Sequence, residues 1–314
     1  MTTTQPILEV KGLTKVIKGK TLVQDIEFTV NPGEVFGFLG PNGSGKTTTI
    51  RMLVGLIKPT AGSIKVAGFD IRTQFIDAMK NIGSIVENPE LYGYLTGWEV
   101  LKQYARMLGN VADDRLREII AQVQLTDRIN DLVKTYSLGM KQRLGIAQAL
   151  IVEPRLLILD EPTNGLDPAG IKELREFVRN LVETQNMSVF ISSHLLSEIQ
   201  LMCDRVAIIN EGKMITVQAV NDLLERHSGD LVEWRVTPTE LAMKILTENQ
   251  HVSYLQIVDE QILCKIDTEK IPSLVTELVA NNIEITKVAE RSITLEDLFM
   301  QLTQKNEVEE TTHA

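Results

Sequence analysis

Residues 40–47 read Gly40-Pro-Asn-Gly-Ser-Gly-Lys-Thr47 and form a glycine-rich loop. It fits the pattern G-x-x-x-x-G-K-[ST], it follows an apolar run at residues 34–39, and it opens a helical pattern at residues 46–56. A strand, a glycine-rich loop and a helix in this order predict a βα unit whose loop amides and helix N-terminus attract phosphate groups. A chance match is the alternative, and the flanking strand and helix disfavour it. The predicted nucleotide contacts are Asn42, Gly43, Ser44, Gly45, Lys46, Thr47 and Thr48.

The residue types of this loop match the chemistry of a nucleoside triphosphate. The Lys46 ammonium is expected to contact the β and γ phosphates, and the Thr47 hydroxyl is expected to ligate Mg²⁺. A second element is the apolar strand at residues 156–159, which ends at Asp160 and Glu161. Ligands of open α/β sheets bind at that edge, so one carboxylate can hold Mg²⁺ while the next polarises a water molecule. A solvated turn or a helix cap is the alternative for these acidic residues.

Strands and helices alternate along the first two thirds of the chain. Because the strands are short apolar runs, the pattern predicts an α/β fold with a largely parallel core sheet. A mostly helical segment at residues 97–132 interrupts this alternation and predicts a helical subdomain over about residues 88–152. The predicted strands are 7–10, 26–30, 34–39, 82–86, 156–159 and 188–192, and the other predicted helices are 46–56, 140–152 and 169–183.

The pattern changes after the turn at residues 227–230. Strand, helix, strand, strand, helix and strand then follow, which is the order of a small α+β ferredoxin-like unit. We therefore predict a nucleotide-binding domain over residues 1–229 and an accessory domain with an acidic tail over residues 230–314. The predicted elements of the second domain are 231–236, 240–248, 252–258, 261–267, 271–281, 284–289 and a last helix at 294–302.

Composition excludes several classes of protein. With 314 residues, of which 43% are hydrophobic and 24% charged, the chain is expected to fold around a real core. Its net charge of −10 disfavours a protein that coats nucleic acid, and no nucleic-acid partner is expected. Cys203 and Cys264 lack metal-ligand spacing. No apolar run approaches the length of a membrane span, so a soluble chain is expected, and any spans would come from another polypeptide.

Over about residues 7–222, the sequence resembles the nucleotide-binding subunits of ABC transporters. Besides the phosphate loop and Leu157-Ile-Leu-Asp-Glu-Pro162, three ordered motifs carry the resemblance. They are Tyr136-Ser-Leu-Gly-Met-Lys-Gln-Arg143 at the place of the signature, Asn164-Gly-Leu-Asp167 at the D-loop, and Ser192-Ser-His194 at the switch histidine.

The resemblance implies an ATP-binding subunit that works as a head-to-tail dimer, either with a second copy or with a paired ABC subunit. Ser137 and the Gly139 amide would contact the γ-phosphate of the ATP bound to the partner, and Asp167 would contact the partner across the dimer. Glu161 would be the general base and His194 the γ-phosphate sensor. A helix cap is the alternative role for Ser137, and an ordinary surface or core position is the alternative for His194.

Three positions depart from the family pattern. The signature has Leu138 and Met140 in place of a glycine and a glutamine, which predicts altered contact with the partner's ATP. Glu87 replaces the family's glutamine; its carboxylate can ligate Mg²⁺, but it only accepts hydrogen bonds. Ile17 stands where an aromatic residue stacks on adenine, so base discrimination should weaken and GTP could be used beside ATP. These departures resemble the bacterial subgroup that exports peptide antibiotics, such as bacitracin or lantibiotics, or gives immunity to them.

The resemblance also implies an integral-membrane permease as partner, on the inner face of the cell membrane. Its cytoplasmic helix would dock on residues 88–98, and the alternative is that the aromatic residues there fill the core. A soluble ABC-type ATPase acting on a macromolecular partner is the alternative function. A P-loop kinase or GTPase is disfavoured because the chain lacks an Asn-Lys-x-Asp motif. For the second domain, the resemblance implies dimer stabilisation or regulation, and a passive extension is the alternative.

Overall fold

The computed structural model describes residues 5–87, 89–109, 111–227, 231–258, 261–291, 294–296 and 299. The strands are β1 (Leu8–Ile17), β2 (Lys20–Val30), β3 (Val35–Leu39), β4 (Ala61–Val66), β5 (Phe69–Asp70), β6 (Ile82–Ile85), β7 (Leu156–Asp160), β8 (Ser188–Ser193), β9 (Arg205–Asn210), β10 (Lys213–Ala219), β11 (Leu231–Thr237), β12 (Val252–Val258), β13 (Gln261–Ile266) and β14 (Glu284–Glu290). The helices are α1 (Lys46–Leu53), α2 (Phe75–Met79), α3 (Gly97–Met107), α4 (Asp113–Gln122), α5 (Leu138–Leu150), α6 (Pro168–Gln185), α7 (Leu196–Met202), α8 (Val220–His227), α9 (Thr239–Glu248) and α10 (Ile271–Ala280).

A six-stranded sheet, in the order β10-β9-β3-β8-β7-β6, forms the centre of the first part of the chain. Strands β9, β3, β8, β7 and β6 run parallel, and β10 pairs antiparallel at one edge. Every residue of β3 and β7 is buried, as expected for parallel strands that are covered on both faces. The predicted α/β class with a largely parallel core sheet is confirmed. The phosphate loop follows the carboxyl end of β3, and the acidic pair Asp160 and Glu161 lies at the carboxyl end of β7. Both strands are in the interior of the sheet.

A second, antiparallel sheet has the order β2-β1-β4-β5. The strands predicted at 7–10 and 26–30 are longer in the structure, because β1 and β2 continue to a tight hairpin at Lys18 and Gly19. Many side chains of their outer halves face solvent and are polar, so no apolar run marks these residues as strand. The extension brings Lys20–Leu22 close to the phosphate loop, where they line one cleft with it.

The segment predicted to be mostly helical, at residues 97–132, contains two helices, α3 and α4. A capping box opens α3, since the Thr96 hydroxyl accepts from the Glu99 amide and the Glu99 carboxylate accepts from the Thr96 amide. Next along the chain, α5 begins at Leu138, two residues before the predicted start at 140, with Ser137 as its N-cap. This places the signature-like motif at the start of a helix.

The chain divides into two compact units at Val220 and Asn221. In the second unit, strands β11 to β14 form an antiparallel sheet in the order β12-β13-β11-β14, and α9 and α10 occupy the predicted places between strands. Its core surrounds Trp234, which is fully buried and donates its indole Nε1–H to Cys264 Sγ at 3.1 Å. The predicted βαββαβ order is therefore confirmed, whereas the functional domain boundary at residue 229 stays a prediction. The predicted helix at 294–302 and the acidic tail lie largely outside the described residues.

Within the part of the chain that the structure describes, no helix combines the length and the apolar character that a membrane span needs.

Candidate nucleotide-binding site

The loop between β3 and α1 has a backbone that only glycine can follow at two points. A Cβ atom at Gly40 would lie 2.3 Å from the Ile209 carbonyl oxygen and 2.5 Å from Ser44 Oγ. At Gly45, the N-cap of α1, φ is +105° and a Cβ atom would lie 2.8 Å from the Leu22 carbonyl oxygen. The loop is therefore packed closely against Leu22 and Ile209 at these two points, which leaves no room for a side chain.

Lys46, the first residue of α1, has an ammonium group that is buried but fully partnered. Its side chain is 5% exposed, and Nζ donates to the carbonyl oxygens of Gly40 at 2.7 Å and Pro41 at 3.2 Å. The third partner is Glu161 Oε1 at 3.3 Å. A buried ammonium requires such compensation, because desolvation without partners costs several kcal/mol or more. The loop and the end of β7 are thus joined through one cation.

Ser44 has a buried hydroxyl group whose Oγ finds no hydrogen-bond partner among the described residues. Buried polar groups are nearly always paired, so an unpaired hydroxyl inside a phosphate-type loop indicates a ligand that supplies the missing oxygen or donor. A cleft of about 440 Å³ opens at this point. It is lined by Lys20, Thr21, Leu22, Pro41, Asn42, Gly43, Ser44, Asn210 and Glu211.

Asp160 ends β7 beside Ser192 of β8, with which it pairs in the sheet. Its side chain is 3% exposed, and Oδ1 accepts a 2.6 Å hydrogen bond from Ser192 Oγ. Burial raises the pKa of Asp160; the neighbouring carboxylates of Glu161 and Glu87 raise it as well, while hydrogen bonds with Ser192 and Thr47 lower it. Among the described residues Asp160 forms no ion pair. This carboxylate therefore sits in a site that favours an added cation.

Glu161 follows directly in a left-handed conformation with φ +50°, which turns the chain at the end of the strand. Its amide donates to Ser192 Oγ at 2.9 Å, and its Oε2 is hydrogen-bonded to His194 Nδ1. The carboxylate consequently contacts two predicted site residues, Lys46 through Oε1 and His194 through Oε2. The structure brings together the loop lysine, the second acidic residue and the histidine that the sequence analysis identified separately.

Glu87 lies two residues beyond β6, also in a left-handed conformation, with φ +64°. Its carboxylate forms an ion pair with Arg51 of α1, and its charge reaches Asp160, whose pKa it raises. Glu87 therefore lies at the same edge of the sheet as Asp160, the other predicted metal-binding carboxylate. Sequence reasoning missed Arg51, because an arginine in a helix next to a phosphate loop has no spacing that links it to residue 87.

A second group of predicted residues lies around another cleft, of about 520 Å³. Ser137 caps α5, with Oγ accepting from the Met140 amide at 3.3 Å, and Asp167 caps α6, with Oδ1 accepting from the Gly170 amide at 2.9 Å. Both residues and Gly139 line this cleft. In the described part of the chain, no hydrogen bond or ion pair joins this group to Lys46, Asp160 or Glu161. The helix-cap role considered for Ser137 is present, and the same hydroxyl faces the cleft.

Ile17 ends β1 opposite Lys20 in the hairpin, with 44% of its surface exposed. Although its neighbours across the turn line the cleft beside the phosphate loop, Ile17 itself is not among the lining residues. The structure therefore shows Ile17 as an exposed aliphatic side chain outside the lining of this cleft.

Comparison with known proteins agrees with this geometry. Residues 23–164 match the family described as ABC transporter. The chain is 47% identical to an uncharacterized ABC transporter ATP-binding protein of Bacillus subtilis (YhcH), over 98% of this chain and 99% of that protein. It is 39% identical to the bacitracin transport ATP-binding protein BcrA of Bacillus licheniformis, over 94% of this chain and 97% of that protein.

A solved structure of the ATP binding subunit of an ABC transporter has the same fold, with a TM-score of 0.63 and 30% identity over 70% of this chain and 93% of the other. The relatives match along nearly the whole chain, and the phosphate loop, Glu161 and His194 meet at one edge of the sheet. The chain therefore belongs to the ATP-binding proteins of ABC transporters, the subunits that bind and hydrolyse ATP.

Proposed function

We propose that this chain powers a separate membrane permease by hydrolysing ATP between two ATP-binding subunits that close head to tail. The observation that carries the proposal is the line of contacts from Lys46 through Glu161 to His194 at the phosphate loop. It supports a site in which the groups that bind the γ-phosphate and the group that activates water are already in contact.

Binding of ATP exchanges the partners of Lys46. The triphosphate occupies the loop, the Ser44 hydroxyl gains a partner in a phosphate oxygen, and the Lys46 ammonium turns from Glu161 to the β and γ phosphates. Glu161 Oε1 is then free to accept a proton from the attacking water, while the bond from Oε2 to His194 holds the carboxylate in place. Lys46 thus keeps the base occupied until substrate is present.

The residues around Asp160 fit a magnesium ion. Asp160 is buried with neutral hydrogen-bond partners, Ser192 and Thr47, and has no cation of its own among the described residues. One or two carboxylates and a hydroxyl, completed by phosphate oxygens and water, are a usual set of Mg²⁺ ligands. Thr47, Asp160 and Glu87 would hold Mg²⁺, which neutralises charge on the phosphates during transfer.

The cleft lined by Ser137, Gly139 and Asp167 supports the second half of the site. Two helix N-termini, those of α5 and α6, open onto it, and both favour anions. Among the described residues, no hydrogen bond or ion pair joins this cleft to the phosphate loop of the same chain. The ligand proposed for it is the γ-phosphate of an ATP bound to the partner subunit. Leu138 and Met140 make this half more apolar than the family pattern.

Residues 89–98 support docking of a permease. Tyr92 and Tyr94 are 60% and 72% exposed, and their rings lie 5.6 Å apart, so these two side chains do not fill the core. Arg117 lies over the ring of Trp98, the last residue of this segment, at 5.2 Å. Exposed aromatic residues are typical of protein interfaces.

The cargo is proposed from the relatives. A 39% identical relative carries bacitracin transport in its name, so we propose export of a peptide antibiotic or a similar amphiphile. The nucleotide preference follows from Ile17, because an exposed aliphatic side chain provides no stacking surface that would distinguish adenine from guanine. GTP is therefore expected to be used beside ATP.

Replacing Glu161 by glutamine tests the base. The amide cannot accept the proton of water, so we expect hydrolysis to fall by about 100-fold or more, while bound ATP and ATP-dependent dimers accumulate. Hydrolysis and size-exclusion chromatography with ATP measure the two effects. Glu183→Gln, an exposed change on the outer part of α6, is the matched control and should behave as wild type. Hydrolysis near the wild-type rate in Glu161→Gln would rule out this role.

Replacing Asp160 by asparagine separates stability from function. A raised pKa means that the folded state holds a proton more tightly than the unfolded state, so stability falls as pH rises through the window above the ordinary aspartate pKa. Asp160→Asn removes the cost of the buried charge at pH 7 while keeping an acceptor for Ser192. We expect the free energy of unfolding without ligand to rise by roughly 0.5 to 2 kcal/mol, and Mg²⁺-dependent ATP binding to weaken.

Urea unfolding at pH 7 and pH 4 measures this difference, which should shrink at the lower pH. Asp127→Asn, at an exposed position, is the control and should leave stability at both pH values nearly unchanged. An Asp160→Asn protein that is less stable than wild type at pH 7 would contradict the assignment.

Mixing two inactive variants tests the head-to-tail arrangement. Lys46→Met destroys the phosphate-loop half of the site, and Ser137→Arg blocks the cleft half. In a mixed dimer one of the two sites combines an intact loop with an intact cleft. Because about half of the dimers in an equal mixture are mixed, we expect recovery of about a quarter of wild-type hydrolysis. A mixture no more active than the sum of its separate components would show that each site is complete within one chain.

A further inference from the structure

Arg51 occupies a defined place next to the proposed site. It lies near the end of α1, five residues after Lys46, and its carbonyl oxygen accepts from the amides of Leu56 at 2.8 Å and Ile57 at 3.2 Å. These bonds fix the backbone that carries the guanidinium group. Glu87 is its ion-pair partner, and among the described residues Arg51 has no second carboxylate. An arginine keeps its charge at every physiological pH, so Arg51 is always able to attract the Glu87 carboxylate.

Glu87 is tied by sheet geometry to the metal-binding edge. Strands β6 and β7 are parallel, with Ile85 opposite Leu159, so Glu87 and Asp160 both emerge beyond the carboxyl ends of neighbouring strands. The carboxylate of Glu87 is therefore paired with the Arg51 guanidinium at the sheet edge where Asp160 lies.

The site holds more carboxylates than cationic side chains. Its carboxylates are those of Glu87, Asp160 and Glu161. Lys46 is paired with Glu161 and Arg51 with Glu87, so Asp160 has no cationic partner among the described residues. A divalent cation at Asp160 would attract the Glu87 carboxylate as well. Arg51 and the metal ion would then compete for one carboxylate.

We propose that Arg51 is a positioning residue that holds Glu87 back from the metal-binding groups, so that loading of Mg²⁺ with nucleotide requires Glu87 to leave Arg51. The proposal rests on the proposed function, in which Thr47, Asp160 and Glu87 hold the ion. Glu87 lies shortly before the exposed Tyr92 and Tyr94, so the exchange of partners links the state of the site to the start of the permease-docking segment. With a glutamine at position 87, no ion pair with Arg51 would exist to be broken.

The energy of the ion pair sets the size of the effect. Arg51 is 44% exposed and Glu87 60% exposed, and exposed pairs are worth a few tenths to about 1 kcal/mol, which is about a two- to five-fold change in an equilibrium. Arg51→Met removes the competitor and keeps much of the side-chain length. The free Mg²⁺ concentration that gives half-maximal nucleotide binding should therefore fall by about two- to five-fold.

The test is a double-mutant cycle on the full chain. Binding of adenylyl imidodiphosphate, a non-hydrolysable ATP analogue, is measured against buffered free Mg²⁺ for wild type, Arg51→Met, Glu87→Gln and the double variant. Lys80→Met is the matched control, because Lys80 is an exposed cation paired with Asp77 at 3.5 Å away from the site. It should leave the half-maximal Mg²⁺ concentration unchanged.

We expect Arg51→Met to lower that concentration in the wild-type background and to have no effect in the Glu87→Gln background. An equal decrease in both backgrounds would show a general effect of the Arg51 charge and overturn the proposal, as would no decrease in either. If Mg²⁺ does not promote analogue binding even in wild type, the metal site of the proposed function fails, and this inference fails with it.

Discussion

The buried ammonium group of Lys46 is the constraint on which the rest of the site depends. An uncompensated cation at this depth would destabilise the fold, so two loop carbonyl oxygens and Glu161 have to surround it. That requirement fixes the curl of the phosphate loop and draws the end of β7 towards it. The same contact links ATP binding to catalysis in the proposed function, because Glu161, the partner that Lys46 would exchange for phosphate, is the proposed general base. Stability without ligand and readiness for ATP therefore depend on the same contact.

Much of this arrangement is predictable from sequence. The phosphate loop, the apolar strand before Asp160 and the histidine after β8 have local signals, and parallel-sheet geometry brings the carboxyl ends of their strands together. The long hairpin of β1 and β2 was underestimated, since half-exposed strands lack an apolar run. The pairing of Arg51 with Glu87 was not predictable, because it joins a helix to a strand end 36 residues later and depends on side-chain reach. The contact of Ser192 with Asp160 follows only once β7 and β8 are known to be neighbours.

The two groups of site residues differ in how complete they are. Lys46, Glu161 and His194 contact one another within one chain, whereas Ser137 and Asp167 cap helices that open onto a separate cleft. This separation is what the proposed head-to-tail dimer would require, because each site would then combine the phosphate loop of one subunit with the Ser137 cleft of the other. Both groups lie within residues 1–229. Residues 230–314 contribute −9 of the net charge of −10, so the part of the chain that attracts a polyanionic nucleotide is nearly neutral.

The exchange of Lys46 from Glu161 to phosphate is the central claim, and the stabilisation of the protein by ATP tests it most directly. Chemical unfolding with and without saturating ATP should show a large increase in the free energy of unfolding for wild type, by about 3 to 4 kcal/mol at a hundred to a thousand times the dissociation constant. In Lys46→Met the protein should stay folded and this increase should nearly disappear at the same ATP concentration. An undiminished increase in Lys46→Met would contradict the account.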